Sequence, residues 1–196
     1  MKKTTSSVLA LGALLLALLP GCSTNTQGDD AAPVFLTGEV TELLLEKLLV
    51  EGTPVQFKTT TLRCRLKTPG AGSVQFLDVQ IDSYVVRWTR LDGGTKASAT
   101  EPFGGNIIVP VGGTSTLNNY QYMTADALLR SPLDQLYPFN GGIDRETGRT
   151  SIRQAGHVTW YGHTLSGQPV VSNEATFDLT FRYSPASGRI EGQLVR

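Results

Sequence analysis

Two cysteines and two histidines are all that 196 residues offer in thiol and imidazole chemistry. No CxxC or HExxH pattern occurs, so the common zinc spacings are excluded. His157 and His163 would share one face of a strand about 20 Å apart, too far to hold one metal ion. No GxSxG turn and no phosphate-cradling GxxxxGK[ST] loop is present, which leaves nucleophile-elbow and P-loop chemistry without a carrier. Charge of one sign is lacking as well. Seventeen basic residues balance seventeen acidic ones, so nothing global draws the chain to nucleic acid or to anionic lipid. After the first 20 residues no apolar run approaches the length of a membrane-spanning helix.

What is present begins at the N-terminus. Lys2 and Lys3 precede an apolar stretch from Val8 to Leu19, and Leu19-Pro20-Gly21-Cys22 closes it. A positive start, a short apolar run and a small residue at its end form the layout of a secretory signal. The segment resembles a bacterial lipoprotein signal through Leu19, Gly21 and Cys22, while Pro20 departs from the usual small residue. The resemblance implies cleavage before Cys22 and lipid on Cys22. Residues 1–21 would be a signal peptide. By analogy with Gram-negative lipoproteins, Ser23 after the cysteine implies the outer membrane of the cell envelope. Two or more acyl chains hold stably where one does not.

Residues 22–33 contain no large apolar side chain and read as a lipidated, flexible tether. Its span is roughly 35 Å at full extension and nearer 20 Å on average. Without Lys2 and Lys3 the seventeen basic residues fall to fifteen against seventeen acidic, a formal charge of −2. With Cys22 carrying lipid, Cys64 has no disulfide partner. Alternation in Leu62-Arg63-Cys64-Arg65-Leu66-Lys67 turns Cys64 inward beside two leucines, which makes it a small core residue rather than a nucleophile.

Residues 34–196 form one domain by size. Val34 to Val50 reads two ways, as a first strand from Val-Phe-Leu or as a short helix capped by Thr41 with leucines at 44, 45, 48 and 49. Strands follow over Val55–Lys67 and Val74–Leu91, separated by a turn at Pro69-Gly70-Ala71-Gly72. In the second strand Leu77, Val79 and Ile81 share one parity, and Tyr84, Val86 and Trp88 the other. The slip predicts a bulge near Asp82-Ser83. Asn106–Val111 and Thr114–Tyr122 are further strands. Thr124 caps a short helix through Arg130, and Ser131-Pro132 opens a second helical turn. Turns follow at Asn140-Gly141-Gly142 and Thr147-Gly148. The final hairpin joins Ile152–Thr164 to Pro169–Tyr183, with Ala175, Phe177, Leu179, Phe181 and Tyr183 facing in. A turn at Ser187-Gly188 leads to Ile190–Val195, which either adds an edge strand or trails.

The expected fold is all-β: an antiparallel two-sheet sandwich with one short helical crossover. Asp78-Val79-Gln80-Ile81 leading to Tyr84-Val85-Val86-Arg87-Trp88, with His157-Val158-Thr159-Trp160-Tyr161-Gly162-His163, resembles bacterial immunoglobulin-like or fibronectin-like lipoprotein domains. That resemblance implies an immunoglobulin-like architecture without the inter-sheet cystine of antibody domains, and it implies no activity.

No catalytic, cofactor-binding or metal residue is singled out. The acids of Asn140-Gly141-Gly142-Ile143-Asp144-Arg145-Glu146 match no EF-hand spacing and read as a solvated turn. Asp78 and Asp82 belong to a generic outward set. Trp88 and Trp160 read as core, whereas Tyr120, Tyr122 and Tyr161 are candidates for an exposed platform. The sequence therefore points to a non-catalytic, lipid-anchored envelope protein with a structural or protein-interaction role and an envelope protein as partner. The alternative is a surface glycan-binding module that uses the exposed tyrosines.

Overall fold

The computed structural model describes residues 32–41, 46–57, 59–70 and 76–184. The signal-like leader, Cys22 with the tether up to residue 31, the Ser187-Gly188 turn and the segment Ile190–Val195 lie outside the described residues.

Alternating burial organises the strands. β1 (Val34–Val40) and β4 (Thr60–Leu66) pair antiparallel, and β7 (Thr114–Leu117) adds to β4. This three-stranded sheet faces a larger one. In the larger sheet β5 (Val79–Arg90) and β9 (Ser151–Thr164) form the centre. β6 (Glu101–Val109) flanks β5, and β11 (Ala175–Arg182) flanks β9. β10 (Pro169–Val171) pairs with the end of β9, and β2 (Glu46–Leu48) runs parallel to β11. A ribbon of β3 (Val55–Phe57) and β8 (Tyr120–Met123) tucks its apolar side into the interior. The result is an all-β, sandwich-like fold.

Aromatics fill the space between the layers. Phe177 packs edge-on against Phe57 at 4.6 Å, Trp88 at 5.5 Å and Tyr122 at 5.5 Å, measured between ring centroids. Such pairs add about 0.5–1.5 kcal/mol each beyond their burial. Trp160 is fully buried against Gly38, where a Cβ would overlap its ring. The glycine is what lets β1 lie this close to β9. Asn173 then holds the junction, accepting from the Gly38 amide at 2.8 Å and donating to its carbonyl at 3.3 Å.

The bulge expected near Asp82 is present: both neighbours of β5 shift register between Ile81 and Ser83. Thr124 does cap the helix α1 (Ala125–Leu128), accepting from the Ala127 amide at 3.2 Å, but the helix ends at Leu128 and does not run through Arg130. Two 3-10 turns, Leu133–Leu136 and Pro138–Asn140, complete the crossover to β9.

Other expectations need correction. The capped helix from Thr41 does not extend through residues 46–49. Glu46–Leu48 joins the ladder of β11 instead, and Leu49–Glu51 is a 3-10 turn. Residues 42–45 of that expected helix lie outside the described set. The turn expected at 69–72 is described only as far as Gly70. Three long strands are each broken in two, although both halves of each stay on one partner segment. Val55–Lys67 divides into β3 and β4, Thr114–Tyr122 into β7 and β8, and Pro169–Tyr183 into β10 and β11.

Candidate functional site

The densest polar cluster lies where β5 ends. Arg90 holds Asp92 with two bonds, Nε to Oδ1 at 2.7 Å and Nη2 to Oδ2 at 3.0 Å. The same Nη2 donates to Asp144 Oδ2 at 2.7 Å, and Nη1 donates to the Lys96 carbonyl at 3.1 Å. The side chains of Arg90, Asp92 and Asp144 are 2%, 4% and 0% exposed. A Cβ on Gly94 would strike the guanidinium, so a side chain there would have to displace Arg90 from its carboxylates.

Each carboxylate is further satisfied. Asp92 accepts from the Arg153 amide at 2.9 Å and the Gly94 amide at 3.2 Å. Asp144 accepts from the Thr147 hydroxyl at 2.6 Å. Burial alone would raise both carboxyls, but these bonds and the Arg90 charge outweigh it and hold both below the usual carboxylate range. Glu146 extends the network, accepting from the Thr95 amide at 2.6 Å and the Lys96 amide at 3.1 Å. Desolvated, paired charges of this kind fix geometry. Here they bind two loops, residues 91–98 and 140–150, to the end of β5.

The second clamped loop and the 3-10 turn leading into it present apolar surface. Phe139 is 78% exposed and Ile143 45%. Behind them Tyr137 is buried, its ring 5.4 Å from that of Phe139, and its hydroxyl donates to the Leu49 carbonyl at 3.3 Å. The Arg145 amide donates to Gln135 at 2.9 Å, tying the second loop to the helical crossover. This end lies opposite the start of β1. Val34 pairs with Leu66, Cys64 bridges to Val111, and the Val111 amide bonds Asp78 at 2.8 Å, just before β5 begins. The length of β5 separates the two ends by roughly 35 Å.

The residues singled out in the sequence are dispersed. Cys64 is buried, and burial with the Asp78 charge pushes its thiol up to about 11. Trp88 and Trp160 are core. Tyr122 is fully buried and hydrogen-bonded to Thr60, Tyr120 is half-buried near Tyr84, and Tyr161 stands exposed on the larger sheet. The expected tyrosine platform is thus not assembled. The expected solvated turn at 140–146 is corrected too, because Asp144 faces Arg90 inside the protein. Among the described residues no group of three or more His, Cys, Asp or Glu side chains is placed to hold a metal ion.

The histidines do share the outer face of β9, and each meets a carboxylate. His163 Nδ1 lies 2.8 Å from Asp82, and His157 Nδ1 lies 2.8 Å from Glu174. His157 Nε2 is also 2.8 Å from the Thr89 hydroxyl. Glu174, His157 and Thr89 follow the hydrogen-bond order of a hydroxyl relay. A working relay also needs donors preorganised for an oxyanion. On that face Arg87 is instead paired with Glu174 at 3.0 Å, and Arg153 with Asp178 at 2.6 Å.

Sequence reasoning did not find the Arg90 cluster. Its members are far apart in the chain, and no local pattern joins Arg90 to Asp144. The chain matches no family model, no curated protein and no solved structure.

Proposed function

We propose that the chain is a non-catalytic, lipid-anchored protein of the cell envelope that acts as a structural or protein-interaction module. The observation that carries the interaction role is the clamped end: exposed Ile143 adjoins Asp144, which a buried arginine fixes, and exposed Phe139 stands on the 3-10 turn leading into that loop. Loops held rigid before binding lose less entropy when a partner docks. Apolar anchors amid polar surface suit a protein partner. The leader ending in Cys22 supports the anchor, and the clamped loops lie at the end of the sandwich opposite the start of β1.

A photo-crosslinking residue placed at Phe139 or Ile143 in living cells tests the reading. The expected result is one discrete protein adduct from these sites and none from Thr159, in the middle of the outer sheet face. Absence of an adduct at both distal sites would remove the interaction role.

A further inference from the structure

The other end of the sandwich, where the chain runs into β1, has a different chemistry. Along β4 the inward residues Leu62 and Cys64 alternate with exposed Arg63 and Arg65. The two arginines stand about 7 Å apart on the outer face, and Lys67 follows just past the end of the strand. Phe35 of β1 lies opposite Arg65. The Arg65 guanidinium carbon sits 5.8 Å, and the Lys67 amine 5.4 Å, from the Phe35 ring centroid. Among the described residues the acid on this face is Glu39, opposite Thr61. Among the described residues neither Arg63 nor Arg65 has an ion-pair partner.

Beside this row the end of the sandwich is apolar. Leu66, Pro69, Val111 and Gly112 line a depression of about 380 Å³, with Arg65 in its wall. Phe76 and Leu165, both exposed, border the same end. The Leu165 amide bonds the Asp78 carbonyl at 2.9 Å, and the carboxylate of Asp78 accepts from Val111.

We propose that this end docks on an anionic phospholipid bilayer. Arg63 and Arg65 meet headgroup phosphates, while Phe35 and the depression beside Leu66 receive acyl-chain carbon. Cations next to apolar side chains are what a membrane interface selects. The balanced charge of the whole chain hides the patch, because the compensating acids sit elsewhere. Chain direction identifies the occupant. The Lys67 amide bonds the Pro33 carbonyl at 2.9 Å, so the segment leading back to Cys22 leaves from this end. That step rests on the lipid-anchor reading, whereas the chemistry of the patch does not.

The test uses the full chain bearing Phe35→Trp, mixed with vesicles whose phospholipid tails are brominated. Bromine quenches an indole only at contact. Quenching of the introduced indole is expected on vesicles containing one-third phosphatidylglycerol and not on pure phosphatidylcholine. Arg63→Gln and Arg65→Gln should each lower the ratio of docked to free domain roughly fivefold, the weight of one cation near an anionic surface. Equal quenching on both lipids, or none on either, would overturn the proposal. Should Phe35→Trp misfold, phenylglyoxal modification of Arg63 and Arg65 in the unaltered chain gives the same answer. Protection by phosphatidylglycerol vesicles alone is then expected, and modification at the free rate would overturn it. Flotation with phosphatidylcholine vesicles reads the anchor separately, so loss of the anchor and loss of docking are distinct results.

Discussion

Cys64 illustrates what single residues reveal. Its neighbours Leu62 and Leu66 share its parity, and the strand duly turns it inward. The reactive species is the thiolate, and burial pushes this thiol from 9.0 up to about 11. Alkylation by iodoacetamide near pH 8 should therefore be about a hundredfold slower in the folded chain than in denaturant. Equal rates would show that Cys64 is exposed. Trp88 and Trp160 were legible by the same parity. Tyr122 was legible too, had the polar Gln121 between Tyr120 and Tyr122 been used to set the inward face. Asp144 was not legible, because Gly-Gly-Ile-Asp reads as a solvent turn and the partner that buries it is Arg90, on a distant strand.

At the scale of elements, the phase of alternation was the useful signal. The slip between Ile81 and Tyr84 located the bulge in β5. A like slip separates Val55 and Phe57 from Thr60, Leu62 and Cys64, and it marks the break between β3 and β4. The strand at Glu46–Leu48 was hidden because leucine-rich spacing fits a helix, while the open edge of β11 decides the outcome. The clamp is the element-level feature with a measurable weight. Arg90→Met leaves Asp92 and Asp144 buried without a counter-charge, and about 3–5 kcal/mol of stability should be lost. Both carboxyls lie below their ordinary value when folded. Their stabilisation is thus full above about pH 4, the unfolded range, and fades as pH falls through the lower folded values. Urea midpoints at pH 7 and pH 3 check this. The unaltered chain should lose more stability between them than Arg90→Met does, whereas parallel losses would contradict the clamp.

The whole molecule has two unlike ends. One end receives the chain from the direction of Cys22 and carries cations beside apolar surface. The other carries Ile143 on a clamped loop and Phe139 on the turn leading into it. The all-β sandwich was legible from alternation and turns, since strands with one apolar face have few ways to bury it. The order of strands was not, because pairing between β1 and β4 or β2 and β11 depends on partners remote in sequence. Polarity between the ends matters for function only if the chain is held by lipid. The most direct measurement is metabolic labelling with a clickable fatty acid, comparing the unaltered chain with Cys22→Ala. Label on the former and none on the latter is the expected result. An unlabelled chain would contradict the anchor and with it the membrane-held orientation of the two ends.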